Sequence, residues 1–155
     1  MKTKNLKNIL LLGIIILSVT ISACKKNDQP SRQDMLVGTW NLDYLKVSLF
    51  GENNVLLGEN REKVDAANAS SVEFRKDGTA ISDGDQATWK LSGDNLTVQY
   101  TEEGNTITEN MTIKELTSSK LVLTLFTEDQ EIIKALQLPS ETKKLVLDSE
   151  YKKVN

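Results

Sequence analysis

The sequence predicts an all-β domain, an antiparallel up-and-down meander that closes into a barrel of about eight strands. Apolar and polar residues alternate through most of the chain after residue 35, and tight turn sequences separate the alternating segments. Little of the chain has the pattern of a helix that would cover a flat sheet. Sequential hairpins avoid exposed edges by closing on themselves, which favours a barrel over the alternative of a two-sheet sandwich.

The first predicted strand lies in the sequence "GTWNLDYLKVSL". Apolar residues alternate with polar ones from Gly38 to Tyr44, and the apolar phase then shifts by one residue from Leu45 to Leu49. Such a shift is typical of a β-bulge or bend within a strand. The segment from Gly58 to Ser70, "GENREKVDAANAS", has no alternation. It is therefore predicted to be an inserted loop or a short helix.

Two hairpins are predicted in the middle of the chain. Val72 and Phe74 alternate with polar residues, and the Asp77-Gly78 pair is a typical hairpin turn before the next strand at Ala80. The following two strands alternate over "ATWKL" and "LTVQY", with the turn sequence "SGDN" between them. All four segments have the pattern of half-buried strands in one meander.

The second half of the chain repeats this pattern. The turn sequence "EEGN" precedes a strand through Ile107 to Ile113, and "TSS" precedes a strand from Leu121 to Leu125. Val122 and Phe126 lie on the opposite face of that last strand, which predicts that both of its faces are covered. A final strand is predicted in "ETKKLVLDSEYKKV", preceded by a helical turn.

The first 23 residues have the pattern of a secretory signal. Lysines precede an uncharged apolar run from Ile9 to Val19, which is too short to span a bilayer. The sequence "ISAC", residues 21–24, resembles the lipobox of bacterial lipoproteins, whose cysteine is acylated and becomes the first residue of the mature chain. Cys24 is the only cysteine. Lipidation of Cys24 is therefore favoured over an ordinary secretory signal with an incidental, unpaired cysteine.

These patterns predict three regions: a signal peptide at 1–23, a flexible tether at 24–34 that starts with lipidated Cys24, and a barrel domain at 35–155. A lipid anchor makes the membrane a partner of the protein without a spanning helix. The sequence after the cysteine, "KKND", lacks the aspartate that retains lipoproteins in the inner membrane in the best-known sorting rule. The expected location is the outer membrane, on its periplasmic face or at the cell surface.

The composition excludes several classes of function. Three of the 19 Lys and Arg residues lie in the signal, which leaves 16 positive side chains against 22 negative ones and argues against nucleic acid as a partner. The chain contains no histidine, so zinc sites of histidine and cysteine and Ser-His-Asp or Cys-His nucleophiles are excluded. Acidic pairs such as Glu102-Glu103 lie in turn sequences, where solvated loops are expected. Neither an enzyme nor a cofactor is predicted.

Four segments resemble lipocalin-like lipoproteins of Gram-negative bacteria: "LVGTWNL", "FRKDGTA", "ATWKLSGDNLTV" and "IKELTSSKLVL". The resemblance covers roughly Met35 to Asn155 and implies a lipocalin-like β-barrel. In that family the Trp of the Gly-x-Trp motif plugs the closed end, a role that would fall to Trp40, with Gly38 letting the entering chain pass closely beneath it. The long first loop of lipocalins has no equivalent here except residues 55–70, and their long C-terminal helix is missing or reduced.

The resemblance implies that a small apolar or amphipathic ligand binds at the open end of the barrel. Inward positions with bulky groups give the candidate ligand-binding residues Phe74, Trp89, Tyr100, Met111 and Leu123. Glu109 shares the register of Met111, so its carboxylate lies at a cavity mouth or the predicted phase is wrong there. The alternative function is a non-catalytic envelope protein that holds or inhibits a macromolecule, with a filled barrel that needs the same bulky residues. The protein is expected to be a monomer.

Overall fold

The computed structural model describes residues 30–65 and 69–154. The predicted signal peptide, Cys24 and the first part of the tether lie outside these ranges. In chain order the described elements are α1 (Arg32–Leu36), β1 (Gly38–Phe50), a 3₁₀ turn (Glu52–Asn54), β2 (Leu56–Lys63), β3 (Ser71–Phe74), β4 (Thr79–Ser82), β5 (Asp85–Ser92), β6 (Asn95–Glu102), β7 (Asn105–Leu116), β8 (Lys120–Thr127), α2 (Gln130–Ala135) and β9 (Lys144–Lys153). No helix in the described ranges is long and apolar enough to cross a membrane.

Eight strands form a closed antiparallel ring. Consecutive strands from β3 to β9 pair with one another, and β1 closes the ring by pairing with β3 through Gly38–Asn41 and with β9 through most of its length. The strand β2 pairs with β1 beyond the stretch that β3 occupies. The predicted up-and-down meander, closed into a barrel of about eight strands, is confirmed.

The predicted irregularity in the first strand lies between Leu42 and Tyr44, where the register with β9 shifts. Two residues of β1 there advance against one residue of β9. Trp40 and Leu42 face the interior before the shift, and Leu45 faces it afterwards, opposite Ser149. The bulge thus explains why the apolar phase of the sequence changes within one continuous strand.

The end of the ring that holds Trp40, α1 and the β5–β6 turn is called the closed end below. The side chain of Trp40 is 0 % exposed, and its indole nitrogen donates a 2.7 Å hydrogen bond to the carbonyl oxygen of Leu36. Ser31 caps α1 through its hydroxyl, and Arg32 forms a 2.7 Å ion pair with Asp94 in the β5–β6 turn. This short helix therefore seals the ring at the closed end, with Trp40 as the plug.

Gly38 permits a close approach beneath Trp40, as predicted. A Cβ atom on Gly38 would lie 2.7 Å from the Cε atom of Lys153, and the φ angle of Gly38 is +131°. The Lys153 ammonium lies 4.9 Å from the centre of the Trp40 ring and donates a 2.9 Å hydrogen bond to the carbonyl of Met35. Glycine is thus required at position 38 both for its backbone angle and for the space that Lys153 fills.

The predicted turn at Asp77-Gly78 is confirmed, and Trp89 stabilises it from inside the barrel. The indole nitrogen of Trp89 donates to the carbonyls of Arg75 and Thr79, at 3.1 and 2.9 Å, which lie on either side of the turn. The ring meets Phe74 edge to face, with centroids 5.7 Å apart. Because both its ring and its N–H are satisfied, Trp89 is a fixed part of the core.

The segment from Gly58 to Ser70 differs from its prediction, because its first part belongs to β2. This strand pairs with residues 44–50 of β1. Polar contacts replace the missing apolar alternation: Glu59 pairs with Lys46 at 2.6 Å, and the Arg61 guanidinium lies 3.9 Å from the centre of the Tyr44 ring. A strand at the free edge of a sheet is wetted on both faces, so its sequence lacks the period of a half-buried strand.

Two short helices also qualify the sequence predictions. The helix α1 begins at Arg32, so the last residues of the predicted flexible tether are helical and packed at the closed end. The helix α2 has six residues between β8 and β9, with Asp129 as its N-cap and Ile133 buried. The long C-terminal helix of lipocalins, expected to be missing or reduced in this sequence, is thus represented by a single short element.

The outer face of β8 and β9 buries one carboxylate. Asp148 is 8 % exposed, accepts a hydrogen bond from the Thr124 hydroxyl and forms a 2.8 Å ion pair with Lys114. Burial by itself would raise the pKa of Asp148, but the hydrogen bonds from Lys114 and Thr124 outweigh it and hold the pKa below its usual value.

The strand β8 is covered on both faces for only part of its length. On its outer face Val122 is buried, whereas Phe126 is 57 % exposed. The prediction that both faces of this strand are covered therefore holds at Val122 and is wrong at Phe126.

We expect Trp40→Ala to lower the free energy of unfolding by about 3 to 5 kcal/mol, because it removes a fully buried ring from the plug. Trp40→Phe keeps most of the ring and loses the bond to Leu36, so its cost should be smaller, about 1 to 2 kcal/mol. Denaturant unfolding followed by circular dichroism measures both. A loss below about 0.5 kcal/mol for Trp40→Ala would contradict the assigned role.

We expect Asp148→Asn to destabilise the protein near neutral pH by about 1 to 3 kcal/mol. The pKa of Asp148 is lowered on folding, so its contribution is present above the unfolded value of 3.8 and is lost as pH falls through the folded value. The stability difference between the two proteins should therefore shrink as the pH falls below about 4. Unfolding curves at several pH values test this, with Glu141→Gln as an exposed control; a difference that does not change with pH would contradict it.

Candidate functional site

The other end of the ring, called the open end, contains a cavity of about 670 Å³. The hairpin turns between β4 and β5 and between β6 and β7 lie at this end. Apolar and aromatic side chains from the inward faces of the seven strands β3 to β9 form its walls: Val72, Phe74, Ala80, Ala87, Val98, Tyr100, Met111, Leu123 and Tyr151. The barrel is thus packed at the closed end and hollow at the open end.

Small side chains explain why the interior is not filled here. Ala80 and Ala87 face each other across β4 and β5, where larger residues would meet in the middle of the barrel. The strands β3 and β4 have only four residues each, so they supply few side chains beyond this point. At the closed end, in contrast, the large side chains of Trp40, Leu36 and Leu96 are fully buried.

Four of the five predicted ligand-binding residues line the cavity: Phe74, Tyr100, Met111 and Leu123. Phe74 and Leu123 are nearly fully buried, so they form the floor, and Tyr100 and Met111 are partly exposed on the walls. Trp89 is the exception. It faces the interior as predicted, but it lies nearer the closed end, where its hydrogen bonds to the β3–β4 turn separate it from the cavity.

Glu109 lies on the cavity wall, which settles the two alternatives for its register. It is partly buried on the inward face of β7 opposite Val98. The Tyr100 hydroxyl donates a 3.0 Å hydrogen bond to its carboxylate. This hydrogen bond to Glu109, together with burial, raises the pKa of the Tyr100 phenol. The pair therefore places a carboxylate and a neutral phenol side by side within the cavity.

Four further carboxylates surround the entrance: Asp83, Asp85, Glu102 and Glu103. We call these four residues and Glu109 the acidic rim. Two of them sit in the tight turns Asp83-Gly84 and Glu103-Gly104, whose residues all have positive φ angles. The Asp83 carboxylate also accepts a 3.0 Å hydrogen bond from the backbone N–H of Ser71, which ties the start of β3 to the entrance.

Within the acidic rim, only Glu109 has a sequence register that indicated a cavity mouth, and the four carboxylates at the entrance were not predicted for the site. Glu102 and Glu103 were assigned to a solvated loop, which is correct locally but says nothing about what the loop surrounds. The missing signal is parity: in an up-and-down meander, alternate hairpin turns lie at the same end of the barrel. The turns at 83–84 and 103–104 are separated by one turn, at 93–94. Both therefore lie at the open end, and their carboxylates line the same entrance.

The cavity joins an apolar floor to a polar entrance. Phe74 and Leu123 form the floor, and the carboxylates of the acidic rim line the cavity towards its entrance. Among the described residues, no group of three or more carboxylate, cysteine or histidine side chains is arranged to hold a metal ion.

The chain is similar to one protein family and to two solved structures. The family model described as a lipocalin-like domain matches residues 36–123. A crystal structure of a lipocalin-like protein from Bacteroides uniformis has 16% identity and a TM-score of 0.39, and the match covers 77% of this chain and 99% of that one. A polyisoprenoid binding domain from Saccharophagus degradans, implicated in plant cell wall breakdown, has 10% identity and a TM-score of 0.28, with coverage of 74% and 98%.

A search of curated proteins gave no significant match. The family match nevertheless includes the Gly-x-Trp sequence "LVGTWNL" and the strands from β1 to the first part of β8. Since it spans more than half of the sequence, the chain belongs to the lipocalin-like domain family.

Proposed function

We propose that the protein binds a small apolar or amphipathic molecule in the cavity at the open end and has no catalytic role. The observation that carries the proposal is the cavity of about 670 Å³ between walls of apolar side chains. Pockets that hold small molecules typically enclose about 300 to 1,000 Å³. Phe74, Tyr100, Met111 and Leu123 are the proposed contacts for the apolar part of the ligand.

The size of the apolar surface is sufficient for useful affinity. A ligand that buries roughly 300 Å² of apolar surface gains several kcal/mol at about 25 cal/mol per Å². Part of this gain is offset by the lost freedom of the ligand. The floor adds little further cost because the edge-to-face contact with Trp89 already fixes Phe74. Micromolar binding is therefore a reasonable expectation for a single hydrocarbon tail.

The lipid anchor belongs to the same proposal. The lipobox-like sequence at residues 21–24 supports acylation of Cys24, and the apolar run before it supports export. Two or three acyl chains hold a protein firmly at a membrane, whereas a single chain gives marginal binding. We therefore propose a lipid-anchored protein of the outer membrane, with the binding domain on the periplasmic face or at the cell surface.

A protein-interaction role is the second candidate, and exposed apolar residues favour it. They lie at and just before the start of β2, at the end of β8, and on or just after α2: Val55, Leu56, Leu57, Phe126, Ile132 and Leu136. However, a non-catalytic envelope protein of this kind was expected to have a barrel filled by side chains. The cavity supports ligand binding as the better explanation of the interior.

Filling the cavity should weaken ligand binding. Ala87→Phe adds a ring on the inward face of β5, so we expect about a tenfold loss of affinity for a neutral fluorescent hydrocarbon probe that brightens on leaving water. Thr88→Phe is the matched control, since it adds the same group one residue later on the exposed outer face. Equal affinity in both variants, or no saturable binding to the folded wild type, would contradict the proposal.

Removing the thiol should release the protein from the membrane. We expect wild-type cells to incorporate labelled palmitate into this protein and to retain it in the membrane fraction. Cys24→Ala should abolish the label and move the exported protein into the soluble fraction. Ser22→Ala, a small residue for a small residue within the lipobox, serves as the control that should keep the label. Wild-type protein without label would disprove lipidation.

A further inference from the structure

The carboxylates of the acidic rim meet no opposing charge in the cavity. Five acidic side chains line the cavity, and neither a lysine nor an arginine lies among its lining residues. A cleft that carries charge of one sign beside low-dielectric walls concentrates the electric field at its entrance. The acidic rim therefore attracts a cationic group and repels an anionic group at the entrance.

Ion pairs elsewhere do not neutralise the rim. Nine other carboxylates of the described chain take part in ion pairs, such as Asp94 with Arg32 and Glu59 with Lys46. None of the five rim carboxylates belongs to such a pair within the described ranges. Their charge is therefore available to a ligand.

The field of the rim is visible at two phenols inside the cavity. The hydrogen bond to Glu109 raises the pKa of Tyr100, and burial and the charges of Glu109 and Glu102 raise it further. Burial raises the pKa of Tyr151, and the charges of Asp83 and Glu109 add to that effect. Ionisation of these two phenols is thus disfavoured, and the nearby carboxylates likewise repel an anionic head group.

Aromatic rings add a second attraction for positive charge. Tyr100 and Tyr151 both contribute to the lining above the floor. Ammonium groups are attracted to the faces of such rings, and this attraction is stronger where water is excluded. Tyr100 is also hydrogen-bonded to Glu109, so one part of the wall offers a ring and a carboxylate together.

We propose that the cavity selects amphiphiles with a cationic ammonium head over amphiphiles with an anionic head. The tail occupies the space above Phe74 and Leu123, and the head lies at the acidic rim near Tyr100 and Glu109. A fatty acid would find the same apolar floor but no cation for its carboxylate. The inference rests on the proposed binding function and specifies the class of ligand.

The test compares three ligands that share one tail and differ in head charge: dodecylammonium, dodecanol and dodecanoate. Each is titrated below its micelle concentration into the purified protein at neutral pH and low salt, with binding measured by calorimetry. We expect dodecylammonium to bind at least about tenfold more tightly than dodecanoate, with dodecanol between them. The difference should narrow in high salt, because ions screen the rim.

A pair of charge-removing substitutions locates the effect. Glu102→Gln with Glu103→Gln should reduce the ratio of the dodecylammonium affinity to the dodecanoate affinity by about threefold or more. The affinity for dodecanol should stay unchanged. Glu131→Gln with Glu141→Gln removes the same charge at exposed residues on and after α2, outside the cavity lining, and should leave the ratio unchanged.

The outcomes separate this inference from the function on which it rests. Saturable binding of dodecanol with equal affinities for the two charged ligands would overturn the inference and keep the binding function. Equal effects of the rim and control substitutions would also overturn it, because net charge alone would then explain the preference. Failure of all three ligands to bind the folded protein would overturn both.

Discussion

The barrel depends on the two-sided pairing of β1 at Trp40. Trp40 lies opposite Val72 on β3 and opposite Lys153 on β9, and its indole reaches back to the carbonyl of Leu36. Without this junction the strands from β3 to β9 would form an open sheet with two unsatisfied edges. One residue thus joins the first, second and last strands of the ring and the helix that seals it.

Closure also determines where the interior is empty. Strand alternation directs side chains inward on every strand of the ring, but their volumes differ along the barrel axis. Trp89 and Tyr100 illustrate this, because both face inward on the neighbouring strands β5 and β6. The Trp89 indole donates hydrogen bonds to the β3–β4 turn near the packed end, whereas Tyr100 pairs with Ala87 beside the cavity. The two aromatic residues therefore have different roles despite the same orientation.

The same distinction explains how much could be predicted from the sequence. Period-two patterns and turn sequences gave the strand faces, the hairpins and the bulge near Asp43, because these depend on local chemistry and on one buried face. Periodicity carries no information about the level of a residue along the barrel axis, so Trp89 was grouped with the cavity residues. The strand β2 was missed for another reason: it buries neither face, and only Lys46, Tyr44 and the β1 backbone identify it as a strand. Exposed ion pairs of this kind contribute little stability, so β2 should be among the first elements to open in hydrogen exchange.

The position of α1 has a consequence for how the barrel meets its surroundings. The described chain enters at Pro30 and is fixed at the closed end by the burial of Leu36 and by the hydrogen bond from Trp40 to the Leu36 carbonyl. Any attachment made through the preceding residues, including a lipid on Cys24, therefore holds the barrel by its sealed base. The entrance between the two acidic turns lies at the opposite end of the barrel from such an attachment. If Cys24 carries the proposed lipid, a ligand therefore enters the barrel at the end farther from the point of attachment.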